Sequence, residues 1–298
     1  MKETLMKHAK ATLWLGIGIA VLATLATLLG IFVQEGPGLH EFVSQHEQRI
    51  LVYGYGFYQW MPADVAIQGV AQDFITLFLA IPLLLLSLWQ ARRGRNRALY
   101  VLAGTCGYFF VTYLFYVNMT SYSALFLLHV ALLGMSFFAL FLSLSDVLSM
   151  EKETFFPSPK QMKWAGGFLF VNSIMVALLW LEIIVPPLLD GTIYPPELFH
   201  LTTLVVQGLD LGLLLPIAIV IGLLAWKGRR SIYSYLTVYL VFLTILMVAL
   251  CSKLVIMYLA GAPVIPAAFI MPTVCIIAGV FSVRILLHMK KETQALQE

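Results

Sequence analysis

Long apolar runs, broken at intervals by short polar or basic segments, dominate the pattern of this 298-residue chain. A helix rising 1.5 Å per residue needs about 20 mostly apolar residues to cross the roughly 30 Å hydrocarbon core of a bilayer. Stretches that meet this need recur near 11–33, 66–90, 98–118, 123–149, 164–186, 201–226, 233–258 and 266–288. The pattern predicts an all-α polytopic membrane protein of about eight transmembrane helices. The first run follows Lys2, Lys7 and Lys10, as a signal peptide would. It is too long for a signal h-region, however, and ends at Gln34-Glu35-Gly36-Pro37-Gly38 with no small-residue cleavage site. It reads as the first spanning helix.

The segments between the runs set an orientation. Of the 18 Lys and Arg residues, 16 fall at the two termini, in the turn Arg92–Arg97, in the 150–163 loop (Lys152, Lys160, Lys163), in the turn Lys227–Arg230 and at Arg284. Arg49 alone lies on the other side, and Lys253 lies within a helix. Basic loops face the cytoplasm, so both termini are expected there, in a bacterial cytoplasmic (inner) membrane. The outer side then carries one long loop, 34–65, with Tyr53, Tyr55, Phe57, Tyr58 and Trp60 crowded near its end. Such a cluster reads as an interfacial aromatic belt, with a lid or pocket wall as the alternative.

Sliding the second half of the chain onto the first at an offset of 137 residues pairs Asp73 with Asp210, Trp89 with Trp226, and Arg92-Arg93 with Arg229-Arg230. Loop lengths repeat too, with a long outer loop after helices 1 and 5 and a basic turn after helices 2 and 6. Four helices per unit preserve orientation, so the expectation is a parallel 4+4 repeat with halves 1–150 and 151–298 forming one membrane domain. The helix prolines Pro82 and Pro216 are out of register by three.

Composition agrees with the pattern: 61% of residues are hydrophobic and only 11% are charged. The net charge of +3 is dispersed over loops and makes no nucleic-acid footprint. Cys106, Cys251 and Cys275 lie inside apolar runs with no CxxC spacing, which implies neither a disulfide framework nor a metal site. No HExxH, GxSxG, Walker or CxxCH motif is present, so no metal or cofactor is expected. A haem would want paired axial ligands, and only His129 is deeply placed, with His200 nearer the interface.

Ionisable groups inside a bilayer cost roughly 2.5–3.5 kcal/mol for Asp or Lys at a helix centre and are functional candidates by default. Asp73, His129, Glu182, Asp210 and Lys253 are such groups. Asp73 and Asp210 each precede their tryptophan by sixteen residues, roughly 24 Å of helix. All five are expected at one depth, in the outer third. Helical phasing adds His200, Thr203 and Gln207 beside Asp210 on helix 6, and Tyr122, Ser136 and Ser143 with His129 on helix 4. Helix 3 contributes Thr105, Thr112 and Tyr116, and helix 2 contributes Gln68 and Gln72. These stripes should face the bundle interior, because lipid offers them no hydrogen bond. The inner halves of helices 2 and 6 carry no ionisable group, which argues for an outward-facing acidic pocket with an apolar floor rather than a continuous pore.

At Val70-Ala71-Gln72-Asp73 through Pro82 to Trp89, and at Gln207-Gly208-Leu209-Asp210, the chain resembles a broad set of bacterial eight-helix membrane proteins that carry no assigned chemistry. The resemblance spans most of the chain and implies a fold but no reaction.

Three functions stay open. The first is a transporter or binder of a small molecule or cation, possible coupling to protons included, with Asp73 and Asp210 as matched acids. The second is an intramembrane enzyme acting on a lipid or quinone from the outer leaflet, with His129 and an aspartate as acid and base. The third is a membrane scaffold whose polar cluster only locks helices together. The expected partners are the lipid bilayer and a small ligand, with no nucleic acid.

Overall fold

The structure, a computed structural model, describes residues 6–151 and 154–291. Eight helices in it are long and apolar enough to cross a membrane: α1 (Ala9–Phe32), α2 (Ala63–Arg92), α3 (Asn96–Met119), α4 (Phe126–Ser149), α5 (Pro159–Asp190), α6 (Val205–Trp226), α7 (Arg230–Leu259) and α8 (Ala267–His288). The chain is therefore an integral membrane protein in contact with lipid. It is not helical throughout. The long loop after α1 folds into an antiparallel hairpin of β1 (His40–Val43) and β2 (Arg49–Val52), with His40 opposite Val52 and Val43 opposite Arg49. A second small pair joins β3 (Thr154–Phe155) to β4 (Lys290–Lys291).

An even number of crossings returns the chain to its starting side. On that terminal side the Lys7 amide donates to Asp146 (3.1 Å), and the Arg97 guanidinium donates twice to the Met289 carbonyl (3.0 and 3.3 Å). Phe156 packs edge-on against Tyr100 and Tyr233 there. Lys2 and Lys152, part of the basic count of this side, lie outside the described residues. The opposite, hairpin side carries the β1–β2 loop and the α5–α6 loop.

α3 forms the core. Its stretch from Ala98 to Tyr113 is almost entirely buried, and it packs on α2, α4 and α7. Gly104 allows the approach of α7, since a methyl group there would meet Val241 at 2.6 Å. α7 in turn packs on α2, α3, α6 and α8. The polar stripes do turn inward, but they are mostly satisfied within their own helices. Ser136 and Ser143 donate to the carbonyls of Leu132 and Ala139, and Thr105 donates to Val101. Tyr122 departs from the expected stripe: it precedes α4 and is 83% exposed.

α2 and α6 share an irregularity. Each widens into a π turn, at Thr76–Ala80 and at Asp210–Leu214, just before Pro82 and Pro216. Proline lacks an N–H and its ring crowds the carbonyl four residues back, here Phe78 and Gly212, so the local turn opens. The two π turns and the two prolines are offset by 134 residues, Thr76 to Asp210 and Pro82 to Pro216, whereas the aspartates are offset by 137. Asp73 therefore precedes its wide turn, while Asp210 opens its own.

Candidate functional site

Asp73 of α2 is 2% exposed, yet it is not bare. Its Oδ2 accepts a hydrogen bond from the Tyr58 hydroxyl (2.6 Å), and its Oδ1 accepts one from the Tyr116 hydroxyl (3.0 Å). Tyr58 comes from the short helical turn Gly56–Tyr58 that follows the hairpin, and Tyr116 from the hairpin-side end of α3. Glycines make the space: a methyl group at Gly30 of α1 would collide with Asp73 Oδ2, and one at Gly69 would meet the Tyr58 ring at 2.9 Å. Tyr58 itself turns inward from the aromatic loop. It is a buried cap on the carboxylate. Burial also raises the phenol pKa of Tyr53 in the same loop above its ordinary value, so that ring stays neutral.

One residue away, Gln72 points into α3. Its amide nitrogen donates to Tyr108 (2.8 Å) and Thr112 (3.2 Å), while Thr76 shares a hydrogen bond with the same Tyr108 hydroxyl (2.8 Å). The amide oxygen of Gln72 is buried without a partner. A buried acceptor without a partner costs about 1–3 kcal/mol.

Asp210 is held differently. Its Oδ2 accepts from the Trp180 indole N–H of α5 (2.8 Å), and the side chain stays partly exposed. Lys253 of α7 lies within electrostatic reach of both Asp73 and Asp210. Among the described residues it closes to within 4.0 Å of neither. Next to it, the Ser252 hydroxyl donates to the Ala71 carbonyl (3.3 Å), which pins α7 against α2 beside Asp73. The arrangement is two carboxylates, each held by neutral donors, with the Lys253 ammonium near both on α7, which packs on α2 and on α6.

His129 is 5% exposed, with its ring against Tyr113 and Tyr116 at centroid distances of 5.9 and 5.3 Å. It belongs to the Asp73 side of the site through Tyr116. Gln207 is buried beside Asp210 on α6. Two expected members do not join. Glu182 is exposed on α5, which runs on to Asp190, so this residue lies within the helix and not at its end. His200 precedes α6, which begins at Val205 rather than near 201, so neither it nor Thr203 shares a helical face with Asp210. His200 instead bonds the Trp60 carbonyl (2.7 Å) and packs on Phe42. There the hairpin meets the α5–α6 loop, with His46 stacked on Tyr194 at 3.7 Å, around a shallow cleft of about 290 Å3.

Sequence reading passes over Tyr108 and Trp180, aromatic residues that look like any others in an apolar helix, and over Gly30, whose role exists only opposite Asp73. It also passes over Asp146, fully buried at the terminal end of α4. Among the described residues no three His, Cys, Asp or Glu side chains are grouped to hold a metal ion. No protein-family model, no curated protein and no solved structure matches the chain.

Proposed function

We propose that the protein is a proton-coupled membrane carrier for a small molecule or cation, in which Asp73 and Asp210 are the exchanging carboxylates and Lys253 links them. The observation that carries this reading is that Lys253 on α7 lies near enough to Asp73 and Asp210 to feel the charge of both, with no ion pair to either. An ammonium group that can neutralise either carboxylate, but is clamped to neither, couples a charge change at one acid to the other. The wide turns of α2 and α6 support the same reading, because π segments before prolines let one half of a helix move against the other.

The two halves, 1–150 and 151–298, are on this reading parallel repeats. The matched wide turns and the central pairing of α3 with α7 support it. The basic loops of the terminal side support a cytoplasmic location for both termini in a bacterial inner membrane, with the hairpin side outward. The experiment is proton entry into proteoliposomes loaded with a pH-sensitive dye under an imposed inside-negative potential. Entry several-fold above that with the Asp73→Asn/Asp210→Asn double variant is the expected result. Equal rates, with both proteins folded, overturn the proposal.

A further inference from the structure

The two halves close differently around their aspartates. In the first half α1 packs along α4 and seals Asp73. In the second half the equivalent helices, α5 and α8, meet at the terminal side, where Phe168 lies 5.7 Å from Phe281. α5 is locked to α6 at that same level, because Gly166 and Gly222 bring the two backbones together. Toward the hairpin side the packing ends. No residue of α5 beyond Ser173, none of α7 beyond Ala249 and none of α8 before Ala278 is buried, and on α6 only Gln207 is buried before Leu214. Ala177, Trp180 and Ile184 share one face of α5, at helical spacings of three and four, and all three stay partly exposed. Trp180 bonds Asp210, so this face is turned toward α6 and the acid.

The hairpin-side halves of α5, α6, α7 and α8, almost without buried residues, form on the reading that follows an apolar bowl, with its opening between α5 and α8, whose ring contact lies at the terminal side. One partly exposed carboxylate lies in it, roughly a turn and a half inside α6. The hairpin side as a whole is negatively charged. The hairpin-side loops carry Glu35, Glu41, Glu47, Asp64, Asp190 and Glu197 against Arg49 alone. Inside the bundle the ionisable groups near Asp210 are Asp73 and Lys253, two acids to one base.

We infer that the bowl admits an amphiphile with a cationic amine headgroup and an apolar tail, entering sideways from the bilayer, and that Asp210 receives the headgroup. The apolar walls suit an alkyl tail, and the excess acid suits a cation and rejects an anion. The inference rests on the reading of Asp210 as a functional carboxylate and gives that carrier its substrate class.

Trp180 reports on the site directly, because it already touches Asp210. The full chain in lipid nanodiscs is titrated with a brominated long-chain alkylammonium, and Trp180 emission is taken as the difference from the Trp180→Phe variant. Saturable quenching is expected, with apparent affinity at least tenfold weaker in Asp210→Asn and retained in Asp210→Glu. The brominated carboxylate of equal chain length is expected to give no saturable quenching of the unsubstituted protein, a comparison that needs no variant to fold. Discs containing phosphatidylethanolamine brominated in its tails separate the two sources of the amine. Asp210-dependent quenching by that lipid assigns the site to a membrane lipid, and quenching by the free alkylammonium alone assigns it to a dissolved amine. Equal quenching by ammonium and carboxylate, or no effect of Asp210→Asn, overturns the inference. So does a dimer by native mass spectrometry with no quenching, which assigns the opening to a second copy. This equilibrium measurement is independent of proton entry, so a protein that moves protons without binding the amine refutes only the substrate class.

Discussion

The Tyr58 hydroxyl donates to the Asp73 carboxylate at 2.6 Å, so a residue of the extramembrane loop closes over an acid buried inside α2. A hydrogen bond to a charged group contributes about 1.5–3 kcal/mol, and its loss in a buried setting leaves the acceptor under-solvated. Tyr58→Phe is therefore expected to lower stability by that order. The measurement is thermal unfolding in mild detergent. If the loss comes from the carboxylate, Asp73→Asn in the same background should return part of it. A Tyr58→Phe protein as stable as the parent would show that Tyr116 alone satisfies the acid.

Gly30 tests the same contact from the other side. A methyl group at this position collides with Asp73 Oδ2, and overpacking a tight site costs typically about 1–3 kcal/mol. Gly30→Ala is expected to destabilise by about this amount, although alanine is the better helix former. The Gly30→Ala/Asp73→Ala pair should be more stable than the sum of the single changes predicts, since the two groups contend for one space. Strict additivity in unfolding measurements would mean that α1 simply shifts away.

The spanning helices were legible because the bilayer imposes a length and a polarity that few other environments require, and every expected run has its helix within a few residues. Asp73, Asp210 and Lys253 were legible for the same reason, as charges in an apolar context. Legibility ended where a partner far away in sequence decides the outcome. Glu182 sits in the same kind of apolar run as Asp210, but its side chain is exposed on α5. His200 phases with Asp210 only if α6 starts early, and the loop contact with Trp60 holds it outside the helix. Tyr58 differs from Tyr53 and Tyr55 only in what lies opposite it.

Orientation can be read with cysteines. In a background with Cys106, Cys251 and Cys275 replaced, Glu41→Cys on β1 and Lys227→Cys in the α6–α7 turn are both exposed and on opposite sides. In intact cells, a membrane-impermeant maleimide is expected to label Glu41→Cys and to reach Lys227→Cys only after permeabilisation. The reverse pattern would place the acidic hairpin side in the cytoplasm and overturn the outward-opening reading.

The asymmetry of the second half depends on a tight terminal-side contact below the open bowl. Gly166 and Gly222 make that contact. A methyl group on Gly222 would meet the Phe170 amide at 2.6 Å and the Gly166 carbonyl at 2.8 Å, both backbone atoms that cannot rotate away. Gly212, ten residues earlier on α6, is exposed and would present a methyl group to nothing within 4 Å. Alanine in place of glycine gains about 1 kcal/mol in a regular helix such as that around Gly222 and less in the wide turn that holds Gly212, so packing is the larger difference between them. Gly222→Ala is expected to push α5 off α6 and to lose about 1–3 kcal/mol net of that gain, whereas Gly212→Ala should be neutral or slightly stabilising. Parallel thermal unfolding of the two variants checks the contrast. Equal behaviour would mean that α5 is held by its loops and not by the glycine contact, and the bowl would then be free to close.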